Sequence, residues 1–152
     1  MSEVTVDIQI AAPIEVVWAR ALDPHAMADW VTIHRSFTHI DDGALQTGFR
    51  MAQVLTLRGA PFKVNWTLAE CTEPTHARWT GKGPARSHAE TEYRLTARDG
   101  GTHFAYSNAF EPPLGLIGRV AQRALAGHTP VVEAERSLER LRVLCETESD
   151  DR

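Results

Sequence analysis

From Val4 to Trp30 the chain changes backbone period twice, and few folds accommodate that order. Val4, Val6, Ile8 and Ile10 alternate with Thr5, Asp7 and Gln9, which predicts a strand with one apolar face. Ile14, Val17, Trp18 and Leu22 follow at helical spacing, so a short amphipathic helix succeeds the strand at once. Pro13 suits the first position of that helix, where a missing N–H costs nothing. Asp23 and Pro24 are the N-cap and first turn of a second short helix.

The remainder answers this opening with strands. Ser36 to Ile40 reads as a short strand closed by Asp41-Asp42-Gly43, and Gly48 opens the next. Phe49, Met51, Gln53, Leu55 and Leu57 share one face of that strand. Gly59-Ala60-Pro61 makes a hairpin turn into Phe62, Val64, Trp66 and Leu68, again on one face. Glu73-Pro74-Thr75 turns the chain into a strand whose inner face is Ala77, Trp79 and Gly81. Ala89, Thr91, Tyr93 and Leu95 alternate with His88, Glu90, Glu92 and Arg94. Asp99-Gly100-Gly101 is a further hairpin signal, and Phe104, Tyr106, Asn108 and Phe110 share the last strand's face.

From Leu114 the period becomes helical. Ile117, Val120, Ala121, Ala124, Leu125, His128, Val131, Glu135, Leu138, Leu141 and Cys145 track one side. Pro130 in a helix interior would cost about 3 kcal/mol, so a break at Ala126 to Thr129 is expected. The chain of 152 residues is read as one domain over residues 1–146, with a frayed acidic tail over 147–152. Its architecture is α+β: about seven antiparallel strands, curved around a long C-terminal helix.

The layout resembles the helix-grip (START/Bet v 1-like) fold of the START-like, or SRPBCC, superfamily, which includes polyketide cyclases, lipid-transfer proteins and plant pathogenesis-related ligand binders. The resemblance is carried by IAAPIEVVWARALDPHAMADW, by Phe62-Lys63-Val64-Asn65-Trp66, by Gly101-Thr102 to Tyr106, and by the terminal helix. Asp29-Trp30-Val31-Thr32-Ile33-His34-Arg35 is similar to a branch of small actinobacterial proteins that includes the toxin of a toxin–antitoxin pair.

The superfamily implies a cavity between sheet and helix. By parity its wall would comprise Phe49, Met51, Gln53, Leu55, Trp66, Leu68, Trp79, Thr91, Tyr93, Tyr106, Asn108 and Phe110, with Ile117, Val120, Ala121, Ala124 and His128 from the helix. Trp30 and Ile33 would lie at its mouth. These residues equally suit a plain core. The polar groups Gln53, Thr91, Tyr93, Tyr106 and Asn108 favour a cavity, because an unpaired buried polar atom costs about 1–3 kcal/mol. His128 is the best proton-transfer candidate, followed by Tyr93 and Tyr106.

Other chemistries find less support. His34 and His39 have no third ligand at a recognisable spacing, so no metal and no cofactor is expected. No Gly-rich phosphate loop is present. The formal net charge of -4 disfavours nucleic acid as the main partner. No apolar run is long enough for a membrane span. Without a signal-peptide pattern, and with Cys71 and Cys145 far apart, a cytoplasmic protein with free thiols is expected. Arg78, Lys82, Arg86 and Arg94 read as a solvated outer face. Three functions remain open: carriage of a small hydrophobic or aromatic ligand, a cyclase or aromatase reaction, and a toxin acting on a protein partner.

Overall fold

The computed structural model describes residues 2–57, 59–111 and 129–150. In chain order they form β1 (Ser2–Ile10), α1 (Ile14–Leu22), a 3-10 turn (Pro24–Ala26), α2 (Met27–Trp30), β2 (His34–Ile40), β3 (Arg50–Leu57), β4 (Ala60–Thr72), β5 (His76–Lys82), a second 3-10 turn (Pro84–Arg86), β6 (His88–Arg98), β7 (Gly101–Glu111) and α3 (Thr129–Asp150). The seven strands make one antiparallel sheet in the order β1-β7-β6-β5-β4-β3-β2. Consecutive strands are hairpin neighbours from β2 to β7, and β1 returns to pair with the last.

The alternation along each strand decides what the sheet buries. Ala77, Trp79 and Gly81 of β5, and Ala89, Thr91, Tyr93 and Leu95 of β6, face inward and are buried. The opposite face carries the charges. Arg78 lies near Glu70 and Glu90, while Glu92 accepts from Arg94 and bonds His76. This is the solvated outer face expected for Arg78 and Arg94.

Helix α3 buries Ser137, Leu138, Leu141 and Cys145, a stripe at i, i+1, i+4 and i+8 against β1, α1 and α2. Two polar contacts fix its C-terminal half. The Arg20 guanidinium donates to Glu148 at 2.5 Å, and the Ala11 N–H donates to Glu146 at 3.1 Å. Residues 147–150 are therefore helical, where a frayed tail was expected; the Arg20 contact anchors them. Glu135 is exposed because it falls at the margin of the stripe. Val131 is 39% exposed because the first turn borders an opening in the core.

Local boundaries differ modestly from the sequence reading. Pro13 lies one residue before α1, with extended ψ of 149°. Asp23 caps the turn that follows, its carboxylate accepting from the His25 N–H at 2.9 Å. Strand β2 begins at His34, two residues early. Gly48, expected to open β3, instead occupies a turn at φ +97°, a conformation that favours glycine. The break at Ala126 to Thr129 lies outside the described residues except at Thr129, where α3 begins.

Candidate functional site

Between the concave face of the sheet and α3 lies a cavity of about 340 Å³. Its walls are mainly aromatic and aliphatic. Trp79 of β5, Trp66 of β4 and Met51 of β3 contribute from the sheet, and Met27, Trp30 and Leu138 from the helices. Trp30 is held edge-on to Tyr93 and Phe104, with ring centroids 6.2 and 6.5 Å away.

Register explains how polar groups come together inside this wall. Thr91 pairs with Asn108 across β6 and β7, and Tyr93 pairs with Tyr106 on the adjacent inward rung. The Asn108 amide donates to Thr91 Oγ1 at 3.2 Å and to the Tyr106 hydroxyl at 3.1 Å. The two tyrosine rings stack with centroids 5.9 Å apart. No hydrogen bond engages the Tyr93 hydroxyl among the described residues. Burial raises the pKa of both phenols above the ordinary tyrosine value, with Tyr106 adding to the shift of Tyr93 and hydrogen bonds to Asn108 and Thr91 opposing that of Tyr106. Both therefore stay neutral and donate rather than abstract a proton.

A second polar group sits across the cavity. The Trp66 indole N–H donates to Gln53 Oε1 at 3.0 Å, and the Gln53 amide lies 2.8 Å from His34 Nδ1. A third closes the side nearest α3. The Thr32 N–H donates to Ser137 Oγ at 3.0 Å, and the Thr32 hydroxyl lies 2.5 Å from Glu133 Oε2.

Of the sequence-predicted wall, Met51, Gln53, Leu55, Trp66, Trp79, Thr91, Tyr93, Tyr106, Asn108 and Phe110 line the cavity, as do Ile33 and Trp30, the latter fully buried in the wall. Phe49 and Leu68 do not. They are buried to one side of it: Phe49 meets Trp79 edge-to-face at 6.3 Å, and Leu68 pairs with Trp79 across the strands. Ile117, Val120, Ala121, Ala124 and His128 lie outside the described residues. Phe62, Val64 and Ala89 join the wall on the parity already noted for their strands. Thr32, Glu133 and Ser137 carried no signal, because their meeting depends on where α3 docks.

The two histidines set aside as metal ligands have separate partners, His34 with Gln53 and His39 with Asp41. Among the described residues no group of three His, Cys, Asp or Glu side chains gathers where a metal could be held. No described helix is long and apolar enough to cross a membrane.

Residues 1–146 match the family described as polyketide cyclase/dehydrase and lipid transport. The chain belongs to that family. Among curated relatives, Toxin Rv0910 of Mycobacterium tuberculosis is 22% identical over 127 residues, covering 82% of this chain and 88% of the toxin. The family fold recurs in solved structures. TTHA0849 of Thermus thermophilus superposes with a TM-score of 0.80 at 18% identity, covering 97% of this chain and 99% of that one. Ms6760 of Mycobacterium smegmatis gives 0.63 at 21% identity, covering 92% and 88%.

Proposed function

We propose that this family member binds a small hydrophobic or aromatic molecule, of lipid or polyketide kind, between the sheet and α3. The supporting observation is an apolar cavity of about 340 Å³ into which two adjacent cross-strand rungs direct Thr91, Asn108, Tyr93 and Tyr106. That volume lies within the usual range for small-molecule sites. Burying roughly 300 Å² of ligand surface at about 25 cal/mol per Å² gives about 7 kcal/mol before immobilisation is subtracted. With about 4 kcal/mol subtracted, burial alone supports affinities of about millimolar order. The phenols and the Asn108 amide set orientation by hydrogen bonding to a ligand oxygen. Asn108→Leu and Tyr106→Phe should each weaken binding about tenfold in a calorimetric titration, the equivalent of about 1.4 kcal/mol. Unchanged affinity in both variants removes the polar cluster from the ligand's contacts.

The same phenols bear on the cyclase reading. Neutral tyrosines can polarise a carbonyl by donation but make poor bases, so their part in any turnover would be the hydrogen bonds they donate. A protein-directed reading draws on the similarity to Toxin Rv0910. It predicts growth arrest when the chain is expressed in a host, and unimpaired growth contradicts it.

A further inference from the structure

Glu133 is one of two charged groups in a mainly apolar wall, and the Thr32 hydroxyl holds it there. The Thr32 hydroxyl donates to Glu133 Oε2 at 2.5 Å, a length typical of a hydroxyl bonded to a carboxylate. Ser137, only 8% exposed, can donate to Thr32 Oγ1 at 3.1 Å while accepting the Thr32 N–H. Each hydroxyl thus donates once, and the chain of bonds ends on the carboxylate. Arg136 approaches Glu133 Oε1 at 3.6 Å but is 68% exposed, so this helix-surface pair is largely hydrated and offsets little of the charge. Thr32, Glu133 and Ser137 all line the cavity. Among the described lining residues the charged groups are Glu3 and Glu133, both acidic; no Lys, Arg or His is included.

We propose that Glu133 is a specificity-determining residue that sets the charge of the ligand: the cavity takes neutral molecules and rejects their carboxylate counterparts. The proposal rests on the ligand-binding reading and names the substrate class within it. Like charges repel strongly once bulk water is removed from between them. A ligand carboxylate near α3 would meet Glu133 with no cation among the described lining residues to compensate, and it would leave its own hydration behind. A neutral ester, ketone or alcohol of the same shape loses neither. Thr32 and Ser137 are positioning residues, since they fix the carboxylate's rotamer and act through it.

The test compares carboxylic acids with their methyl esters on three frameworks: naphthalene, a ten-carbon chain and a sixteen-carbon chain. Affinities are measured at pH 8 by calorimetry on the full chain. The ester is expected to bind at least about tenfold more tightly than the acid. Glu133→Gln keeps an acceptor for Thr32 and should bring acid and ester within about threefold by tightening the acid alone. Glu135→Gln, at an exposed position of α3 outside the lining, should leave the ratio as it was. Acids binding as tightly as esters to the unaltered chain overturn the proposal. So does a ratio that Glu133→Gln leaves unchanged, or one that Glu135→Gln abolishes. Failure of every acid and every ester to bind overturns this inference together with the ligand-binding reading, whereas reversed preference overturns the inference alone.

Discussion

The indole N–H of Trp66 donates to the side-chain carbonyl of Gln53 at 3.0 Å, and this bond fixes the direction of every proton around it. An indole nitrogen can only donate. Gln53 Oε1 is therefore the acceptor, and its amide nitrogen must donate to His34 Nδ1. His34 is thereby neutral, with its proton on Nε2. Gln53→Leu conserves approximate volume but removes the partner of a buried donor. It should cost about 1–3 kcal/mol in urea unfolding, and no loss would show that the indole finds another acceptor.

The same bond gives His34 a pH signature. Burial lowers its pKa below the ordinary histidine value. For a base with a depressed folded-state pKa, the folded state favours the neutral form. The stability this provides is fully present above the unfolded value, about 6.5, and is lost as pH falls from there through the folded pKa. Unfolding measured at pH 7.5 and at pH 5 should show a smaller acid-induced loss in His34→Asn than in the unaltered chain. Equal losses in the two would contradict the neutral assignment.

Gly81 makes room for Trp66. A Cβ at this position would lie 2.7 Å from Trp66 Cε3 and Cζ3 and from Val64 Cγ1. These atoms belong to packed side chains of the cavity wall, so neither yields freely. Gly81→Ala should destabilise by about 1–3 kcal/mol, as overpacking of a filled interior does. A neutral or stabilising result would mean that the cavity absorbs the displaced indole, and a loss of ligand affinity should then accompany it.

The thiols should differ in reactivity. Cys145 is fully buried, and desolvation pushes its pKa up to about 12, with Glu148 adding to the shift. Cys71 is half-buried, and its pKa is raised as well, first by desolvation and then by Glu73. The thiolate is the reactive form. Under native conditions a thiol reagent at pH 8 should modify Cys71 slowly and Cys145 only after unfolding. Rapid native labelling of Cys145 would show that the docking of α3 opens readily.

Most of the fold could be read from residues because the inward face of each strand is written in a period of two. Trp66, Trp79 and Tyr93 turn inward as parity predicts, while their cross-strand partners emerge only in the folded sheet. Helix α3 was harder. Its buried face at Leu138, Leu141 and Cys145 follows the helical period, yet on the same track Val131 is exposed where the first turn borders the cavity and Glu135 at the margin of the stripe. Phe49 and Leu68 share parity with wall residues but lie to one side of the cavity, a distinction set by position along the strand rather than by face. The Thr32–Glu133–Ser137 cluster was invisible, since 101 residues separate Thr32 from Glu133 and only tertiary docking joins them.

Ligand binding in the space between Trp79 and α3 is the property on which the proposed function depends. Native mass spectrometry of the full chain against a panel of neutral lipids, fatty acids, aromatic ketones and polycyclic phenols tests it most directly. A one-to-one complex with at least one hydrophobic member is expected, weakened by Asn108→Leu and Tyr106→Phe. A chain that retains nothing from its host and binds no member of the panel would contradict it.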